Sequence, residues 1–116
     1  MKPLWVFVGN FMYKITFYVP KEHLESIKTA LFTKGAGKIG NYECCAWQTL
    51  GTGQYRPLCG SQPYLGSKGQ IEKVKEYMVE MVCEDHCLQA VLNELVRTHP
   101  YETPAYAAWK IEDCVR

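Results

Sequence analysis

No charge of one sign dominates this sequence. Its 13 Lys and Arg stand against 12 Asp and Glu, a formal net charge of +1, and no basic run breaks the balance. A nucleic-acid partner is therefore not expected, because such proteins concentrate positive charge to displace counterions. Long apolar runs are also missing. The stretch from Leu4 to Val8 is far short of the roughly 20 residues of a membrane span, and no small-residue cleavage site follows it. No membrane partner is expected either. A second close pair of cysteines is missing as well: Cys44 and Cys45 are adjacent, while Cys59, Cys83, Cys87 and Cys114 are scattered. Neighbours in a strand point to opposite faces, so Cys44 and Cys45 are poorly placed to pair, and a reduced, cytoplasmic setting fits best.

What remains is an ordinary globular composition. Of 116 residues, 47% are hydrophobic and 22% charged, enough for one core and too few residues for two. Residues 1–11 read as a leader ahead of a single domain over residues 12–116.

Periodicity orders the chain. Tyr13, Ile15, Phe17 and Val19 alternate with Lys14, Thr16 and Tyr18, which predicts a first strand. After Pro20, the residues Leu24, Ile27 and Leu31 recur at helical spacing until Gly35 supplies a C-terminal cap. A second strand is expected from about Tyr42 to Leu50. Seven glycines and prolines between Gly51 and Gly69 then predict a long loop at about 51–69, the first place to look for binding. A third strand is expected over 71–83, and Asp85 is placed to cap a second helix with an apolar stripe of Leu88, Val91, Leu92, Leu95 and Val96. His99-Pro100 ends that helix, and a fourth strand covers about 105–111. The βαββαβ order predicts an α+β, ferredoxin-like fold: a four-stranded antiparallel sheet with two helices on one face. Tyr18, Met78 and Tyr106 are expected on the other face, where a second copy of the chain would cover them.

Chemistry-bearing motifs are sparse. Gly35-Ala36-Gly37-Lys38-Ile39-Gly40 matches the dinucleotide pattern G-x-G-x-x-G, but these glycines close a helix instead of opening one, so phosphates would meet the wrong helix end. Cys83 and Cys87 flank Asp85 and His86 at a zinc-like spacing that lacks its second pair, and these thiols read as small buried hydrophobes. His99-Pro100-Tyr101-Glu102 places an imidazole and a carboxylate three residues apart at a helix exit. That pair could hold a metal or move a proton, or His99 could simply meet the last carbonyls of the helix. His23 and His86 complete no catalytic constellation, and no serine carries a nucleophile signature.

The string from Gly35 to Tyr42, then Gly51-x-Gly53 with Pro57, Gly60, Pro63 and Gly66, then Glu72-x-Val74, and finally His99-Pro100-Tyr101-Glu102 with Ala105-Tyr106, resembles the Nif-three-like family. The likeness is to the domain that many members carry inserted between the halves of a dinuclear-metal domain. It implies a fold similar to CutA and the PII signalling proteins, which form trimers. The metal-binding halves have no counterpart here, so the sequence reads as that PII/CutA-like domain occurring alone, and the cyclohydrolase-like activity ascribed to some relatives does not carry over. Thr103 and Ala107 stand where the family usually has acids.

The matching strings and the long loop nominate Gly37, Asn41, Tyr42, Tyr55, Tyr64, His99, Tyr101 and Glu102 as ligand-binding residues, with His99 and Glu102 the metal candidates. No resident cofactor is expected, and a divalent metal is the inorganic ligand considered. The favoured expectation is a non-enzymatic homo-oligomer, trimer first and dimer second, that binds a small molecule, a metal ion or a protein partner. The alternative is a small metal-dependent hydrolase working through His99 and Glu102.

Overall fold

The computed structural model describes residues 11–112. The expected leader lies outside the described residues except for Phe11, which already opens the first strand. The elements are β1 (Phe11–Val19), α1 (Lys21–Thr33), β2 (Trp47–Tyr55), β3 (Glu72–Glu84), α2 (Leu88–Thr98) and β4 (Tyr106–Glu112). The four strands form one antiparallel sheet in the order β2-β3-β1-β4. That is the ferredoxin-like arrangement expected from the element order.

Strand β1 sits at the centre because its inward residues are the most apolar. Ile15, Phe17 and Val19 are fully buried against Val79, Met81 and Cys83 of β3, and Leu24, Ile27 and Leu31 of α1 with Val91 and Leu95 of α2 close over them. The end of α1 is set by its glycine. Gly35 has φ +110°, and the amides of Gly35 and Ala36 donate to the carbonyls of Phe32 and Leu31, which satisfies the last turn and turns the chain sharply. The dinucleotide-like glycine string is therefore a helix stop. Gly37 continues the turn at φ +80°, its amide donating to the Val82 carbonyl at 2.7 Å.

Four expectations need correction. The second strand runs from Trp47 to Tyr55, so Gly51 and Gly53 lie inside it and the irregular segment spans 56–71 instead of 51–69. The reason is visible at Gly53: a Cβ there would fall 2.0 Å from Glu76 Oε1, so the glycine makes room for a carboxylate lying across the strand. Tyr42 pairs with Ile39 in an isolated bridge, and Cys44 and Cys45 precede the strand, Cys44 at φ 60°. Asp85 makes no capping bond; it begins a short 3-10 turn, Asp85–Cys87, that leads into α2. Finally, Tyr106 stands opposite Phe17 in the register and so shares the helix side of the sheet. The uncovered face carries Tyr18 opposite Met78, as expected, together with Trp47, Trp109 and Ile111.

Candidate functional site

At the end of the sheet where β1 runs into α1, two loops meet. The segment 56–71 folds back over β2, tied by Gly69 N–H to the Pro57 carbonyl at 2.7 Å and by Tyr55 Oη donating to the Leu65 carbonyl at 2.5 Å. The turn after α2 approaches from the other side, where the Gln62 amide donates to Glu102 Oε1 at 3.2 Å. Between them lies a cavity of about 510 Å³, lined by Tyr18, Tyr55, Tyr64 and Tyr101, by Glu76 and Glu102, and by Arg56 with Pro57, Leu58 and Pro63. That volume and its mostly apolar wall are typical of small-molecule sites.

Several polar groups in the wall have structural partners. Tyr101 Oη donates to Glu76 Oε2 at 3.0 Å. Tyr64 Oη donates to Glu22 Oε1 at 3.4 Å and meets His23 Nε2 at 3.2 Å, which joins the loop to the first turn of α1. The rings are grouped around Tyr101: its centroid lies 6.4 Å from that of Tyr55 and 5.9 Å from that of Tyr64, both tilted. Burial, then the charge and hydrogen bond of Glu76, push the Tyr101 hydroxyl well above the usual phenol range, and burial with Glu72 and Glu76 raises Tyr55.

His99 lies beneath this cavity and is 7% exposed. Its Nδ1 accepts the Tyr101 amide at 3.1 Å, so Nε2 carries the proton and donates to the Tyr18 carbonyl at 2.6 Å. Burial holds its pKa below the usual imidazole value. With both nitrogens engaged by backbone, His99 in this arrangement offers no lone pair to a cation, and Glu102 turns to the 56–71 loop. Among the described residues no group of three or more His, Cys, Asp and Glu is placed to hold a metal ion.

The nominated residues thus separate. Tyr55, Tyr64, Tyr101 and Glu102 line one cavity, and His99 supports it. Gly37, Asn41 and Tyr42 belong to the turn beside Val82, some six residues along β3 from Glu76, or about 20 Å. Sequence reasoning missed Glu76, Arg56 and Tyr18 as cavity residues. Strand parity places Glu76 and Tyr18 on the same face, but which loop folds over them has no local signal. The thiol of buried Cys83 is pushed up to about 11 by burial and by Cys87, which keeps it protonated and inert.

No family model matches the chain. Relatives are nonetheless clear. A GTP cyclohydrolase 1 type 2 homolog of Bacillus subtilis (strain 168) is 40% identical over 99 residues, which is 85% of this chain and 26% of that protein. One from Mycobacterium leprae (strain TN) is 45% identical over 93 residues, 80% of this chain and 24% of that protein. The chain therefore spans about a quarter of the length of these relatives. Among solved structures, a Bacillus cereus protein related to NIF3 superposes with a TM-score of 0.77 at 34% identity, covering 90% of this chain and 26% of that one. CutA1 from Ehrlichia chaffeensis gives 0.67 at 17% identity, covering 91% and 86%, a likeness of fold. By sequence this chain is similar to a quarter-length segment of these Nif-three-like relatives, and by fold it is a PII/CutA-like, ferredoxin-like domain.

Proposed function

We propose that the domain is a non-enzymatic binding module that associates with copies of itself through the uncovered face of its sheet and takes a small ligand in the tyrosine-lined cavity. The observation that carries the assembly is the composition of that face. Trp47 is 54% exposed, Trp109 44% and Tyr18 37%, and Met12, Met78, Val82 and Ile111 stand half-buried among them. A sheet face that met only water would be polar at these positions, and apolar area removed from water stabilises an interface by roughly 25 cal/mol per Å².

The far part of β2 adds to the case. Leu50 and Gln54 point to the helix side yet remain exposed, so this stretch of the β2–β3 hairpin lacks helix cover. Two-stranded ribbons are marginal in water unless something packs on them. A trimer is the assembly that the likeness to CutA and PII proteins implies, with a dimer second. Sedimentation velocity at micromolar concentration should show that assembly, and Trp109→Glu should return it to monomer. A wild-type monomer under those conditions would remove the assembly half of this reading.

A further inference from the structure

We propose that the cavity between the 56–71 loop and the turn after α2 binds a compact organic cation of the alkylammonium class, held by the ring faces of Tyr55, Tyr64 and Tyr101 and by the carboxylates of Glu76 and Glu102. The inference rests on the reading that this cavity is a ligand site, and adds the charge and shape of the ligand.

Three observations point the same way. The first is what the tyrosines leave free. The hydroxyls of Tyr55, Tyr64 and Tyr101 donate to the Leu65 carbonyl, to Glu22 and to Glu76, so the ring faces are what these residues still offer. Two of those rings flank the third at tilts of 52° and 46°, an open cage in place of a flat stack. Aromatic faces carry negative quadrupole charge and attract cations, most strongly where water is displaced. A hydroxyl donating to a carboxylate makes its ring richer still.

The second observation is charge. The lining holds two carboxylates against one guanidinium, Arg56, which is exposed at the rim. Glu22 and Glu72 stand close enough to act on the Tyr101 and Tyr55 hydroxyls, deepening the negative field. An anionic ligand would meet Glu76 and Glu102 with a single cation to hold it. The third observation is size. About 510 Å³ is far more than a metal ion fills, and the described residues hold no ligating cluster for one, whereas an alkylated ammonium with its own apolar shell suits a largely apolar wall.

Isothermal titration of the full chain with choline and with 3,3-dimethylbutan-1-ol, its uncharged isostere, isolates the charge. Choline should bind about tenfold more tightly than the isostere. Tyr101→Leu should weaken choline about tenfold, with circular dichroism confirming the fold. Arg56→Gln, at an exposed position, should strengthen it by about two- to fivefold as a like charge leaves the rim. Equal binding of choline and the isostere would overturn the cation and leave the cavity as a ligand site. Tighter binding of inorganic phosphate, lost in Arg56→Gln, would overturn it in favour of an anion. Binding of none of the three probes would overturn both the cation and the ligand-site reading.

Discussion

The two faces of the sheet are built from the same strands and are both apolar, yet they end in different places. On the helix side Ile15, Phe17, Val19, Val79, Met81 and Cys83 are at most 4% exposed. On the other side Trp47, Trp109 and Tyr18 are each more than a third exposed, and the Lys14–Glu80 ion pair at 3.2 Å crosses among them. An alternating pattern tells which residues share a face, and an apolar face tells that water is not its best neighbour. Neither tells whether the cover comes from the same chain. The helix side is covered by α1 and α2; the other side has a composition suited to cover, and among the described residues the 56–71 loop and the turn after α2 reach it at its Tyr18, Tyr55 and Glu76 end.

The largest expected effect falls on the helix side. Phe17→Ala should cost about 3–5 kcal/mol in urea unfolding, since a fully buried ring leaves a cavity that the surrounding residues only partly fill. His99 sharpens the comparison, because it ties the exit of α2 to the backbone of β1. His99→Ala should cost about 2 kcal/mol by orphaning the Tyr18 carbonyl and the Tyr101 amide, and a loss below about 0.5 kcal/mol would show that water replaces both bonds readily.

The pH dependence of the same residue is smaller. Its folded pKa is depressed, mainly by burial, so the unfolded chain binds the proton first. The contribution of neutral His99 is present above about pH 6.5 and is lost as pH falls toward the folded value. The melting temperature should drop between about pH 7.5 and about pH 5.5 in the wild type and by less in His99→Gln. The smallest stability effect belongs to the uncovered face. At a dilution where the chain is monomeric, Trp109→Glu should change unfolding free energy by no more than about 0.5 kcal/mol while abolishing association. If it destabilised the monomer as much as Phe17→Ala, the two faces would not differ as described.

The element order, both helices and three of the four strands were legible in the sequence because their signals are local: alternation in β1 and β3, the Leu24-Ile27-Leu31 stripe, the Gly35 stop. Strand β2 is shifted relative to its sequence pattern because glycine ordinarily acts as punctuation. At Gly53 it instead accommodates the Glu76 side chain from the neighbouring strand, a requirement set by a residue 23 positions away. The face of Tyr106 is hidden in the sequence for a related reason: a short strand after Pro104 gives parity within itself but no fixed phase relative to β1. For the cavity, Tyr55, Tyr64, Tyr101 and Glu102 could be nominated from the loop and the motif after α2. Glu76 and Tyr18 could not, since they enter through the folding of the loops over the sheet.

The position of β1 sets an order of events for the chain as it emerges during synthesis. Its hydrogen-bonding neighbours are β3 and β4, and Phe11 finds its partner in Glu112, almost the whole described chain away. β1, α1 and β2 are made first, and β1 and β2 do not pair with each other. The β2–β3 hairpin becomes available next, β1 can then add to the free edge of β3, and the last side of β1 can close only when Tyr106 to Glu112 are free to reach it. Pairings of such long range are slow to find, because the entropy of closing the chain is lost before the contacts return anything. Until then the apolar centre of this sheet is an open edge, and refolding of the intact chain should be far slower than a helical domain of equal length.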